Sequence, residues 1–214
     1  FEASYRELVG AFDGLDAGMV LGNIPDVCAI PFVTTVPPFL INPTTREPIL
    51  IGGQLVPLIG PDGPLTLPGP GGPGDRVTLP ALALLAQGIG VPPPLGTGDP
   101  LPDAVVLNLA EQAAIAAGTE AINGIIEAVA AEYGYPLVDA KSLQDEAIDG
   151  LHVGGVEITT EFLVGGAIGL DGIHPTDLGQ AILANAFIEA INAHYDSHIP
   201  LVDLRAAVLE RTAP

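Results

Sequence analysis

Two observations predict an α/β fold for this chain, and a third its organisation as one domain. Two short apolar runs, residues 19–23 and 137–139, have the length and composition of buried parallel strands. Segments of helical periodicity alternate with them, over residues 5–12, over residues 108–133 and after Pro175. The 214 residues are 48% hydrophobic, enough to bury one sizeable core, so a single domain over residues 1–214 is expected.

The chain opens on a helix with Tyr5, Leu8, Val9 and Phe12 at helical spacing. It begins at Phe1, without methionine or signal peptide and already inside that helix, so an excised or incomplete gene product is expected. After the strand at residues 19–23 the chain changes character. Between Pro31 and Pro102 lie seventeen of its 22 prolines, with Gly52-Gly53, the glycines of residues 69–74 and Pro92 to Pro94 as further breakers. Regular structure there must be short: extended pieces over residues 31–40 and 49–59, and one short helix over residues 79–89 ended at Gly88 or Gly90. Phe32, Val36, Phe39, Leu40, Leu58 and Leu85 make the stretch too apolar for a disordered linker, so residues 32–102 read as a lid-like insertion. It leaves the carboxyl edge of a strand, where the ligand sites of α/β sheets lie, and is expected as an acyl-binding wall or cover. Packing on the domain's own side, to fill a hydrophobic interface, is the alternative.

Residues 108–133 form the clearest helix. Asn108 with Glu111 three later gives a capping box, Ile115, Ile122, Ile125, Ile126 and Val129 make the buried stripe, and Gly134 closes it. Gly118 and Gly124 each weaken the helix by about 1 kcal/mol relative to alanine, so close packing against a neighbour is expected at both. After the strand at residues 137–139, Val153-Gly154-Gly155-Val156 reads as a hairpin tip with residues 157–160 returning. Pro175 or Thr176 then starts the last long helix, Asp177 sits in its first turn, and Ile182, Leu183, Ala186, Phe187 and Ala190 recur on its core face.

Chemistry is assembled at one place, Leu170-Asp171-Gly172-Ile173-His174-Pro175. Asp171, on a tight turn at Gly172, can accept the Nδ1 hydrogen of His174. That bond fixes one tautomer, stabilises the imidazolium and leaves Nε2 to take a proton from a hydroxyl. The plain alternative is a helix-entry turn in which His174 merely precedes a proline, since so short a pattern recurs by chance.

The surroundings of that motif, Phe162-Leu163-Val164-Gly165-Gly166-Ala167-Ile168-Gly169 before it and Thr176, Gly179, Ala184-Asn185, Phe187-Ile188 and Ala190-Ile191-Asn192 after it, resemble the last block of the SGNH (GDSL) hydrolases. Gly22-Asn23-Ile24-Pro25-Asp26-Val27 with Ile30-Pro31-Phe32, and the helix and strand over residues 108–139, resemble the exported bacterial lipase or esterase branch of that family. The resemblance implies a flavodoxin-like three-layer α/β/α fold, in which residues 19–23 and 137–139 are the last two core strands. It also implies a serine esterase or lipase acting on carboxylic esters, with His174 as base and Asp171 as its orienting partner, and an exported location. The family's Gly-Asp-Ser nucleophile segment and oxyanion-hole blocks have no counterpart here. Ser4, Ser142 and Ser197 stand in Ala-Ser-Tyr, Lys-Ser-Leu and Asp-Ser-His contexts, and no Gly-x-Asn-Asp segment occurs. The chain is therefore expected to be the C-terminal portion of such a hydrolase, inactive alone, with the N-terminal half of the same protein and a small-molecule or lipid ester as its partners. The rival class is a non-catalytic lipid- or carbohydrate-binding module in which the Asp-x-x-His loop survives as structure.

Composition excludes several other classes. Six Lys and Arg stand against 26 Asp and Glu, a net charge of −20, and the cations are scattered, so neither nucleic acid nor an anionic lipid surface is an expected partner. The apolar stretch at residues 79–91 is bounded by prolines and falls short of the ~20 residues a bilayer needs, so no transmembrane segment is expected. Cys28, between Val27 and Ala29, reads as a buried small side chain rather than a nucleophile. His194 and His198 have a spacing that suits a metal on a continuous helix, but Asp196-Ser197 and Pro200 end the helix there and no third ligand is near in sequence. No metal and no cofactor is expected. His152 falls on the surface of the hairpin.

Overall fold

The computed structural model describes residues 1–15, 17–70 and 72–212. They form two compact units, one made of residues 1–27 with those from 116 onward, the other of residues 28–115. In chain order the elements begin with helix α1 (Glu2–Asp13), strand β1 (Leu21–Gly22) and a single helical turn α2 (Pro31–Thr34). Strands β2 (Leu50–Ile51), β3 (Gln54–Leu55), β4 (Ile59–Gly60), β5 (Gly63–Pro64) and β6 (Arg76–Val77) follow, then helix α3 (Ala81–Leu85) and strand β7 (Val106–Leu107). The chain continues with helix α4 (Leu109–Tyr133), strand β8 (Leu137–Val138), helix α5 (Ala140–Asp149) and strands β9 (Leu151–Val153) and β10 (Val156–Ile158), and then helices α6 (Asp177–Tyr195) and α7 (Leu204–Thr212). The architecture is mixed α/β, and among the described residues every sheet has two strands.

In the first unit the two runs read as strands from sequence do pair, in parallel, with Leu21 opposite Leu137 and Gly22 opposite Val138. Ile126, Val129 and Ala130 of α4 pack there with Val9 of α1 and Leu21 of β1. Helix α4 has the reciprocal cap expected of it, the Asn108 N–H donating to Glu111 Oε2 at 2.9 Å and the Glu111 N–H to Asn108 Oδ1 at 3.0 Å. The close packing expected at Gly118 and Gly124 is absent: a Cβ at either position meets no atom within 4 Å. By length and composition α4 is apolar enough to cross a membrane. That is weak evidence for a span, because its Ile126–Ala130 turn is packed in a core and Glu120, Glu127 and Glu132 stand exposed along it.

A second cluster of the same unit lies under the β9–β10 hairpin, whose register sets Val153 opposite Val156 and His152 opposite Glu157, with His152 exposed as expected. Val153, Ile158, Ala167, Leu178 and Val208 fill it. The most buried side chains of α6 are Leu178, Ala181 and Asn185, while Ile182, Leu183, Ala186, Phe187 and Ala190 are half-buried, so the core face is centred one position away from the one expected. That face includes Asn185. Its amide accepts from the Val202 N–H at 2.7 Å and donates to the Val202 carbonyl at 3.0 Å, which makes a polar side chain a satisfied core residue.

Residues 28–115 have a core of their own around Leu58, Val77, Ala81 and Leu101, and the proline-rich stretch of residues 32–102 lies within it. Short elements dominate, as the breakers require: α3 ends at Leu85, and Gly88 and Gly90 take positive φ after it. The extended piece expected from residue 31 is instead helical at Pro31–Thr34, because Pro31 at the first helical position has its φ preset for the turn. Cys28 is buried, as its neighbours suggest.

Candidate active site

The Asp171–His174 motif sits on a closed loop. The Gly169 N–H donates to the His174 carbonyl at 2.8 Å and the Gly172 N–H to the Gly169 carbonyl at 3.0 Å, so six residues turn back on themselves. Gly172 has φ 71°, a conformation in which a side chain is strained. Within the loop Asp171 is an acceptor three times over. Its Oδ1 takes the N–H groups of Ile173 at 2.9 Å and His174 at 3.0 Å, and its Oδ2 lies 2.5 Å from His174 Nδ1. The His174 side-chain bond, then the Ile173 and His174 N–H groups, pull the Asp171 carboxyl down to about 2. At neutral pH Asp171 is therefore ionised and the Nδ1 position carries the hydrogen between them, which leaves Nε2 as the basic nitrogen.

The loop is held at both ends. Thr176 caps α6: its Oγ1 accepts the Gly179 N–H at 3.1 Å and donates to the Gly166 carbonyl at 2.7 Å. The Thr176 N–H donates to the Ala167 carbonyl at 2.9 Å, and Ala167 in turn donates to Thr159 at the end of β10. Gly179 is required by this crossing, since a Cβ there falls 2.2 Å from the Ala167 carbonyl oxygen. Sequence reading found Thr176 only as a start signal and gave Gly179 no role. The signal was the Gly165-Gly166 pair ten residues upstream, whose partner is visible only once the strand has folded back.

The dyad is open to solvent, with 79% of the His174 side chain and 48% of that of Asp171 exposed. Nε2 makes no hydrogen bond among the described residues. Two of the three serines are bonded elsewhere: Ser142 Oγ donates to Asp139 Oδ2 at 2.6 Å and Ser197 Oγ to Asn192 Oδ1 at 2.8 Å. The geometry thus holds an aspartate–histidine pair to which neither the Ser142 nor the Ser197 hydroxyl is bonded.

At the carboxyl ends of β1 and β8 lies a polar cavity of about 570 Å³, lined in part by Asn23, Glu120, Glu127, Asp139 and Lys141. Neither Asp171 nor His174 lines it. Asp139 caps α5 here, accepting from the Ser142 N–H and hydroxyl and from the Asn23 amide at 2.7 Å, which brings its carboxyl down to about 2. The Asn123 amide grips both sides of the Ile24 backbone at 2.8 Å, and the Gln144 amide does the same at Asp26. These bonds fix residues 23–26 as they leave β1, and Asn23 adds to the clasp by also accepting the Lys141 N–H at 3.0 Å. His194 lies edge-on to Tyr195, and among the described residues no group of three or more His, Cys, Asp or Glu side chains comes together as a metal site.

The reading of this site rests on its residues and geometry, because no family model, no curated protein and no solved structure matches the chain.

Proposed function

We propose that this chain supplies the histidine base and its aspartate for a carboxylic ester hydrolase of the SGNH (GDSL) type, with the serine nucleophile and oxyanion hole on segments outside these 214 residues. The observation that carries the reading is the 2.5 Å bond between Asp171 Oδ2 and His174 Nδ1, with Nε2 unengaged among the described residues. In the reaction, Nε2 takes the serine proton as its Oγ attacks the ester carbonyl, and Asp171 stabilises the imidazolium. The imidazolium then protonates the departing alcohol, and the same nitrogen deprotonates water for release of the acid. The parallel β1–β8 pair is consistent with two strands of a larger three-layer sheet, since parallel sheets are usually covered on both faces and rarely stop at two strands. Export from the cell belongs to the same proposal.

The test compares the chain alone with the chain joined to the residues that precede it in its gene. Alone, turnover of p-nitrophenyl butyrate equals that of its His174→Ala variant. Joined, turnover appears, and Asp171→Asn lowers kcat by about 10⁴-fold, the order of effect an orienting aspartate has in serine hydrolases. A joined protein with no serine-dependent turnover sinks the hydrolase. It leaves the rival, a non-catalytic lipid- or carbohydrate-binding module.

A further inference from the structure

The unit of residues 28–115 carries an open cavity of about 550 Å³ whose wall differs in kind from the polar one. Val36, Leu40, Leu58, Leu82, Leu85 and Val91 form much of it, and no charged side chain lines it. Its one polar side chain, Thr35, already donates its hydroxyl to the Pro31 carbonyl at 2.7 Å. Much of the surrounding backbone is closed as well. Pro37 and Pro43 have no N–H, and the N–H groups of Leu40, Ile49, Leu58 and Val91 are bonded to the carbonyls of Val56, Leu40, Pro38 and Gly88. A wall without charge and built mainly of aliphatic side chains penalises a ligand that brings a charged group into it, and rewards one that brings methylenes. The volume lies in the range of pockets that take small ligands, about 300–1,000 Å³.

We propose that this cavity binds a single uncharged aliphatic chain, with its polar end left at the mouth in water. The exposed rim residues Ile41, Leu82 and Leu95 then form the apolar entrance. An anionic head is disfavoured twice over: no cation lines the wall, and the protein's net charge is −20. The proposal stands on the cavity alone and does not depend on ester hydrolysis.

The test is an NMR titration of the full 214-residue chain with the 1-alkanols from hexanol to decanol, read at the methyls of Leu58, Leu85 and Val91. Affinity is expected to rise about four-fold with each added methylene, the ratio that about 0.8 kcal/mol per buried CH₂ corresponds to. Decanoate at neutral pH binds more weakly than decanol. Ala86→Phe, which fills the cavity from an exposed position, and Leu82→Glu, which sets a carboxylate at the rim, each abolish the length dependence while circular dichroism is unchanged; His174→Ala leaves it intact. The proposal is overturned by the absence of saturable shifts at these methyls, by an affinity flat in chain length, or by tighter binding of decanoate. It is equally overturned if light scattering finds a dimer that Ala86→Phe dissociates, which makes a second copy of the chain the occupant. Decanol binding in a protein that never hydrolyses esters retires the hydrolase and keeps this site.

Discussion

At Asp171 one carboxylate answers three donors within the four residues that begin with it, and its low proton affinity is the sum of those bonds. Carbon-detected NMR should give Asp171 a titration midpoint of about 2, against the ordinary 3.8, and His174→Ala should move it back up, since the His174 side chain is the largest cause. Asp139 behaves alike, with Ser142→Ala as the relieving change. Both carboxyls are depressed in the folded state, so the stability they contribute is complete above the unfolded value of 3.8 and is lost as pH falls through about 2. Acid unfolding in the double variant Asp171→Asn, Asp139→Asn should accordingly show a weaker dependence on pH across that window. The dyad was legible in sequence because its members stand three apart and a turn between them leaves little freedom. Asn185 was not legible, because a polar letter on an apolar face gives no sign of whether a backbone partner waits at Val202.

Helices α4 and α6 carry glycines of opposite meaning. Nothing approaches a Cβ at Gly118, so Gly118→Ala should stabilise the protein by about 0.4–1 kcal/mol in urea unfolding, through helix propensity and the stiffer unfolded chain. Gly179→Ala drives a methyl against the Ala167 carbonyl and should destabilise by about 1–3 kcal/mol, as overpacking does. It should also disturb the His174 ring resonances, since Gly179, Thr176 and Ala167 are the frame of that loop. Asn185→Ala leaves the Val202 backbone without its partners and should cost about 1–3 kcal/mol. The elements themselves followed from local chemistry where that chemistry is complete in a few residues: the Asn108–Glu111 cap, the Gly154-Gly155 hairpin and the Thr176 start. Distances between elements do not follow from such signals, which is why Gly118 and Gly124 were read as contacts when both face open space.

For the molecule as a whole, a net charge of −20 on 214 residues makes self-repulsion a term in stability. The melting temperature should rise as NaCl is increased from low millimolar to about 0.15 M, where the screening length falls to roughly 8 Å. A melting temperature indifferent to salt would mean that the acidic groups are already compensated locally. Composition foretold this acidity, and short apolar runs alternating with helical periodicity foretold the α/β class. Neither foretold that the proline-rich stretch belongs to a unit with a core of its own, because Leu58, Val77 and Leu101 are brought together by pairings such as β6 with β7, across some thirty residues of sequence.

The loop from Gly169 to His174 closes on itself through bonds that span no more than five residues. Contacts so short in sequence form on the timescale of loop closure, about 10–100 ns, well ahead of the pairing of β1 with β8 across more than a hundred residues. The order of assembly follows: aspartate and histidine meet early and locally, and the strands that pair across the first unit close around a loop that is already set.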